Sequence, residues 1–134
     1  MVKKKEIIQT SGKRKSAMAK ATLSPGKGVI RINRQLLNTL KPQMLRDRIM
    51  EPLLLSEDAY QKVNINVITS GGGIQGQIEA ARLAIARALV EVNKKLKKTF
   101  LDYDRHLLIP DVRYRETRKP NDSRARSARQ KSYR

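Results

Sequence analysis

Apolar residues recur at every second position in a segment near the beginning of the chain. In residues 16–24 they are Ala17, Ala19, Ala21 and Leu23, and a period of two is typical of strands that bury one face. Residues 6–11 before this segment and residues 29–32 after it also predict strands. Residues 12–15, which include three cations, and residues 24–28, which include a proline and two glycines, have the composition of turns. Because strands joined by short turns usually pair with their neighbours, we predict a three-stranded antiparallel meander.

The next segment predicts two short helices. Asn33 is a suitable N-cap for the first, because its side chain can accept a hydrogen bond from a backbone N–H of the opening turn. Pro42 suits the first turn of the second helix, where no N–H is needed, and Pro52 is expected to end it. Residues 56–58 are polar and predict a break before the next element.

The central part of the chain contains the clearest patterns. Residues 62–69 carry apolar side chains at every second position, which predicts a strand. From residue 74 to residue 96, apolar side chains recur at spacings of three and four, which predicts one long helix with the lysines at 94–98 in its last turns. Residues 107–109 predict a final strand that Pro110 ends. This order of elements favours an α+β fold with one mixed or antiparallel sheet that carries helices on one face.

Positive charge is concentrated at the two ends of the chain. The 134 residues include 30 Lys and Arg against 12 Asp and Glu, for a formal charge of +18. Residues 1–20 hold 7 cations and 1 acid, residues 113–134 hold 9 and 2, and the remainder holds 14 and 9. Since such a charge repels itself unless a polyanion neutralises it, nucleic acid is the leading partner and an anionic membrane surface the second. A membrane-spanning helix needs about 20 consecutive apolar residues, and no apolar segment of the chain approaches that length. We therefore expect no membrane partner and a cytoplasmic protein.

The composition also divides the chain into two parts. We predict that residues 1–112 form one globular α+β RNA-binding domain. Residues 113–134 contain no Leu, Ile, Val, Met or Phe, and they cannot bury enough apolar area to offset the entropy of ordering. We therefore predict an extended basic C-terminal tail that is disordered when free.

The residue types exclude several kinds of enzyme. The chain has no Cys and one His, His106, so it can form neither a disulfide nor a thiolate metal site. No second histidine supports a metal site or a catalytic dyad. We predict no catalytic residue, no metal, no cofactor and no small-molecule substrate, and we expect His106 to be a polar residue at the start of a strand.

A glycine-rich segment precedes the predicted long helix. Its spacing matches the G-x-G-x-x-G fingerprint of dinucleotide-binding sites, which makes a small nucleotide-binding enzyme one alternative function. Lysines at 94–98 stand where that fingerprint needs an acid, and only one further strand is predicted. Two other interpretations stay open: a structural loop with positive φ and close packing, or a loop that places helix N–H groups against RNA phosphate. The loop glycines are Gly71, Gly72, Gly73 and Gly76.

Three blocks of the sequence resemble one known family. They are GGGIQGQIEAARLAIARAL at 71–89, TSGKRKSAMAKATL at 10–23, and LLIPDVRYRE at 107–116 with SRARSARQKSYR at 123–134. Together they resemble the family of the universal ninth protein of the small ribosomal subunit. The ending QKSYR is similar to the archaeal and eukaryotic branch of that family.

The resemblance implies both a fold and a function. The implied fold is like the second domain of the fifth small-subunit protein, with a left-handed βαβ crossover. The implied function is a structural place in the head of the small ribosomal subunit, beside other head proteins, with the tail threaded through ribosomal RNA. The resemblance also implies that Arg134, with Lys131 as a weaker neighbour, contacts the P-site tRNA during translation.

The cations at the two ends are the candidate RNA contacts. Arginine can bind phosphate through two hydrogen bonds and stack on bases, so an arginine-rich tail suits structured RNA. The candidates are Lys13, Arg14, Lys15, Arg113, Arg115, Arg118, Lys119, Arg124, Arg126, Arg129 and Lys131. Arg87 on the long helix has two open interpretations, as a phosphate ligand or as a partner of Glu91 one turn away. A DNA-compacting protein of the nucleoid type would share the charge and is a further alternative.

Overall fold

The structure of the protein, a computed structural model, describes residues 6–121, 124–128, 130, 132 and 133. These residues form one sheet with the strands β1 (Ile8–Arg14), β2 (Ala17–Pro25), β3 (Ile30–Ile32), β4 (Gln35–Leu36) and β5 (Val63–Ser70). They also form the helices α1 (Gln43–Leu55), α2 (Ile74–Val92) and α3 (Leu96–Tyr103). The strand order is β1-β2-β5-β3-β4, with β3 and β5 parallel and the other neighbours antiparallel. The predicted α+β fold with one mixed sheet is confirmed.

The helices cover one face of the sheet. Along β2 and β5, buried residues alternate with more exposed ones, so each strand has one face toward the core. Ala17, Ala19 and Ala21 line this face of β2, and the small side chains let α2 lie close to the strands. The approach is tightest at Gly12 of β1, where a Cβ atom would lie 2.1 Å from the carbonyl oxygen of Ala80. Glycine is therefore required at this crossing of strand and helix.

The remaining helices complete the core against α2. Ile49 and Leu53 of α1 and Phe100 of α3 are fully buried where the three helices meet. Arg82 of α2 is also buried, and its guanidinium pairs with Glu51 of α1 and, at 3.2 Å, with Asp104 after α3. One guanidinium thus joins the three helical segments. No helix in the described ranges has the length and apolar character needed to cross a membrane.

The predicted meander is confirmed for the antiparallel pair β1 and β2, but the predicted pairing of β2 with β3 is wrong. β5 lies between β2 and β3, and it pairs with β2 over eight residues. β3 has three residues and joins the far side of β5 in parallel, so the chain passes through α1 between them. β2 and β5 are the two longest strands, and their pairing brings the most cross-strand side chains into contact. This long-range pairing overrides the local preference for a hairpin between β2 and β3.

The first turn is shorter than the sequence predicts. β1 continues through Arg14, and the turn contains only Lys15 and Ser16, with Lys15 at a φ of 52°. Gly12 was expected in this turn because glycine usually marks one. It lies within β1 instead, where the absence of a side chain admits the backbone of α2.

Asn33 and Pro52 also have different roles from those predicted. Asn33 caps no helix: it lies at a φ of 50° in the turn between β3 and β4, and its amide exchanges hydrogen bonds with Thr69 of β5. Pro52 does not end α1, which continues to Leu55. Its ring is compatible with helical φ, and its carbonyl accepts from the N–H of Ser56 at 3.1 Å. The polar break at 56–58 is confirmed as a turn.

The predicted long helix is two helices. α2 ends at Val92, and Asn93 is extended, with its side-chain oxygen accepting from the N–H of Lys95 at 3.1 Å. An Asn side chain that bonds the backbone two residues ahead is a turn signal that interrupts the helical pattern. The lysines at 94–98 therefore lie in the connection and in the first turn of α3, rather than at the end of α2.

The predicted strand at 107–109 is absent from the described residues. A 3₁₀ helix, Arg105–Leu107, occupies its start, and the Asp104 side chain caps it by accepting from the N–H of His106 at 2.9 Å. His106 is thus in a short helix and not at a strand start. Three consecutive apolar residues carry too little periodicity to distinguish these outcomes.

Candidate nucleic-acid interface

The tip of the β1–β2 hairpin presents three successive cations in different directions. Lys13 is exposed on the side of the sheet away from the helices, whereas Arg14 is half-buried on the helix side. Lys15 is exposed in the turn itself. Alternation along β1 explains the first two positions, since successive side chains of a strand point to opposite faces.

Asp111 ties the beginning of the tail to this hairpin tip. Its carboxylate pairs with Arg14 and with Arg113, whose Nη2 lies 2.7 Å from Oδ2. Oδ1 also accepts from the backbone N–H of Arg113 at 3.0 Å, so Asp111 forms a local turn. Hydrogen bonds from the side chain and backbone of Arg113, with a further one from Arg14, hold the pKa of Asp111 well below its usual range. The same side-chain hydrogen bond raises the pKa of Arg113.

The hairpin tip and the start of the tail enclose a cavity that we call the basic corner. It has a volume of about 730 Å³, and its lining residues are Arg14, Lys15, Ser16, Arg113, Tyr114 and Arg115. The lining contains four cations and no acid. At its edge, the Lys13 ammonium lies 5.2 Å from the centre of the Tyr114 ring, a cation–π distance. The fold thus brings together cations that are about 100 residues apart in the sequence.

The candidate cations differ in how much of their charge is available. Arg14 and Arg113 share the Asp111 carboxylate, and Arg126 pairs with Glu116 at 2.6 Å. In the part of the chain that the structure describes, the other cations of the hairpin tip and tail have no acidic partner: Lys13, Lys15, Arg115, Arg118, Lys119 and Arg124. Arg129, Lys131 and Arg134 lie outside the described residues. The assignment of RNA and tRNA contacts to all of these residues remains a prediction.

The glycine loop packs directly beneath the hairpin turn. Gly71 and Gly72 have φ values of 72° and 63°, and a Cβ on Gly71 would lie 2.6 Å from the carbonyl oxygen of Ser16. Gln77 closes the loop by donating from Nε2 to the Gly71 carbonyl at 3.0 Å. These contacts support the structural interpretation, because both glycines are needed for backbone conformation and close approach. Phosphate binding by this loop remains a prediction.

Arg87 contacts backbone carbonyls, and its role as a phosphate ligand stays a prediction. Its Nε donates to the carbonyl oxygen of Leu108 at 3.2 Å, and its Nη1 donates to that of Ser11 at 2.9 Å. Among the described residues it makes no ion pair with Glu91. β1 is an edge strand with unpaired carbonyls, and Arg87 satisfies one of them while it fastens the segment before the tail.

Two important charges were missed by reasoning from the sequence. Asp111 organises the basic corner, and the available signal was an acid two residues before an arginine, the spacing of an Asx turn. Arg82 joins the helices from a buried position, and its flanking apolar residues were the only indication of burial. The remaining partners could not be found locally, because Arg14 and Asp111 are 97 residues apart and Arg82 and Glu51 are 31 residues apart.

Comparison with known proteins gives one consistent result. A family model described as ribosomal protein S9/S16 matches residues 12–134. The chain is 41% identical over 133 residues to small ribosomal subunit protein uS9 of Methanococcus maripaludis strain C7, covering 96% of this chain and 99% of that protein. The protein of the same name from strain S2 gives the same values. Both relatives are archaeal, in agreement with the branch predicted from the ending QKSYR. The chain therefore belongs to the ribosomal protein S9/S16 family, which makes it a cytoplasmic ribosomal protein rather than an enzyme.

Proposed function

We propose that the protein is assembled into the head of the small ribosomal subunit by binding ribosomal RNA through the basic corner and the tail. The observation that carries this proposal is the cavity of about 730 Å³ lined by four cations and no acid. Family membership supports the ribosomal role, and both curated relatives are named as small-subunit proteins. Neighbouring head proteins are the other expected partners.

The basic corner is suited to phosphate because some of its cations are fixed and others are available. Asp111 holds Arg14 and Arg113 in place by hydrogen bonds, which reduces the entropy lost when a ligand binds. Lys15 and Arg115 have no acidic partner among the described residues, so their charge is free for phosphate. Binding of phosphates there releases counterions, which makes the affinity fall steeply with salt.

The tail extends the same function away from the folded domain. The described residues after Leu107 form neither helix nor strand, and Arg118, Lys119 and Arg124 are exposed. Backbone without internal hydrogen bonds can thread between RNA helices and become ordered on binding. The proposed tRNA contact of Arg134 rests on the resemblance of QKSYR to the family terminus.

The basic corner can be tested with two variants of equal charge change. We expect Lys15→Gln/Arg115→Gln to lower the slope of log affinity against log salt by about 1.4–1.8 for small-subunit ribosomal RNA from the same organism, since two phosphate contacts are lost. Lys94→Gln/Lys97→Gln is the control, about 28 Å away at the other end of α2 by helix geometry. Equal slopes for the two variants would contradict the proposal. The same titration with duplex DNA should show weaker binding, and a preference for DNA would favour the nucleoid alternative.

The tail can be tested by two deletions in assembled subunits. Deleting residues 133–134 should leave assembly intact and speed the dissociation of P-site tRNA, because the terminal arginine is removed. Deleting residues 113–134 should instead weaken incorporation of the protein into the subunit. Unchanged tRNA dissociation in the first variant, or normal incorporation of the second, would contradict the corresponding contact.

A further inference from the structure

The face of the sheet opposite the helices is open. No helix of the described residues packs on it, and its side chains are exposed or half-exposed. The side chains on this face alternate with the buried ones along β1, β2, β3 and β5. We call the surface that they form the outer face. It consists of Gln9, Ser11, Lys13, Met18, Lys20, Thr22, Arg31, Asn64, Asn66 and Ile68. A sheet with one open face is common, but this one has an unusual distribution of charge.

The strand register arranges three cations of the outer face along a diagonal. Lys13 lies opposite Met18, and Lys20, two residues further along β2, is therefore its diagonal neighbour at about 7–8 Å. Arg31 lies opposite Asn66 of β5, which itself lies opposite Thr22, two residues beyond Lys20. From the spacing of strands and residues, Arg31 is about 12 Å from Lys20.

Among the described residues, no acid occupies an outward position of these four strands. The outer face contains no Asp or Glu, whereas Asp111, Glu51, Glu79 and Asp104 all pair with arginines at the helices or the basic corner. In the described part of the chain, Lys20 has no acidic partner, and neither does Arg31. The three cations of the outer face are therefore not neutralised by acidic side chains of the described residues, and this positive charge is complementary to a polyanion.

The outer face is also continuous with the basic corner. Lys13 connects the two, because it stands at the end of the diagonal and its ammonium lies 5.2 Å from the centre of the Tyr114 ring, which lines the corner. A nucleic-acid backbone that occupies the corner can therefore continue past Lys13 and Lys20, and across the uncharged Thr22 and Asn66, to Arg31. The exposed Ser11 and Asn66 and the half-buried Thr22 add hydroxyl and amide groups that can bond phosphate and ribose.

The apolar content of the outer face favours nucleic acid over a protein partner. Its exposed large apolar residues are Met18, at 44% exposure, and Ile68, at 67%, and Leu36 of β4, at 46%, lies on the same face opposite Arg31. These three side chains, none of them aromatic, form too small an apolar patch for the core of a stable protein interface, which is depleted in charged residues and enriched in aromatic ones. The charged and hydrogen-bonding groups dominate instead.

We infer that the outer face is a second RNA-binding surface, on which Lys20 and Arg31 contact the phosphate backbone of ribosomal RNA beyond the basic corner. This inference rests on the proposed function and extends it from the hairpin tip and tail to the middle of the sheet. The outer face would recognise the RNA backbone without base specificity. Its cations, hydroxyls and amides can bind phosphate and ribose, and such contacts do not depend on the base sequence.

The test compares Lys20→Gln/Arg31→Gln with the Lys94→Gln/Lys97→Gln control in the full chain. Both substitutions of the first variant are at exposed strand positions and leave the core unchanged. We expect the salt slope for ribosomal RNA to fall by about 1.4–1.8 relative to the control variant, because two phosphate contacts are lost. Acylation of the wild-type protein by an amine reagent should be slower at Lys20 when RNA is bound, with the rate at Lys94 unchanged.

The outcomes separate this inference from the proposed function. If Lys20→Gln/Arg31→Gln matches the control while Lys15→Gln/Arg115→Gln lowers the slope, the outer face does not bind RNA and the basic corner still does. If neither variant differs from the control, both proposals fail. If Lys20 is protected in assembled subunits but not in the complex with RNA alone, a protein covers the outer face and the inference is overturned.

Discussion

Gly12 provides the sharpest test of how the hairpin is held against α2. In Gly12→Ala, the new methyl carbon would lie 2.1 Å from the Ala80 carbonyl oxygen and 2.8 Å from the Ala84 nitrogen. Ordinary contacts of such atoms begin near 3.4 Å. Both neighbours are backbone atoms in the middle of a buried helix, so no side-chain rotation can relieve the overlap. β1 and α2 must separate.

The size of the effect follows from this separation. Adding a methyl group to a well-packed core commonly costs about 1–3 kcal/mol, and contact with two backbone atoms places this position at the upper end. The lower entropy of the unfolded alanine chain offsets about 0.5–1 kcal/mol. We therefore expect the free energy of unfolding to fall by about 2–2.5 kcal/mol, which lowers Tm by about 8–10 °C for a domain of this length.

Gly73→Ala is the matched control. Gly73 has a φ of −98°, and a Cβ there would have nothing within 4 Å. The cost should be about 1 kcal/mol, because alanine is a poorer N-cap than glycine but meets no steric overlap at this position. Urea unfolding followed by circular dichroism measures both variants, and an unchanged m-value would show that the unfolded states are comparable. A Gly12→Ala protein within about 0.5 kcal/mol of wild type would refute the close approach of β1 and α2.

Two further predictions concern the contacts that hold the tail to the domain. Arg87→Lys should lower stability by about 1–2 kcal/mol in urea unfolding, because one ammonium cannot serve the carbonyls of both Ser11 and Leu108. Arg87→Gln, which removes the charge, should leave the salt slope for RNA unchanged, and a lower slope would restore Arg87 as a phosphate ligand. The lowered pKa of Asp111 means that its ion pairs stabilise the fold above the ordinary pKa of about 3.9 and are lost only as the pH falls through the lower folded value. Titration of its carboxyl carbon by NMR at the ordinary value would contradict this pairing.

Local patterns were sufficient for much of the fold. Alternation over residues 62–69 predicts β5 because a strand with one buried face must place apolar residues at every second position. Apolar residues at spacings of three and four predict the start of α2, because they lie on one face of the helix and that face packs against the sheet. The pattern was less informative at Asn93, where a single side-chain hydrogen bond to the backbone divides two helices that share one periodicity.

Periodicity, composition and motifs were enough to predict the α+β class, the main strands, the start of α2, the concentration of charge at both ends and the family. The position of β5 between β2 and β3, the contacts of Arg87 with carbonyl groups, and the attachment of the tail to the hairpin tip by Asp111 are visible only in the folded chain. Periodicity and composition report the surroundings of residues that are near in the chain. Strand order and the partners of Asp111 depend on contacts between residues that are far apart in the chain, because these contacts bury the most area and pair the most charge. The pattern of neighbouring residues does not show which distant residues meet.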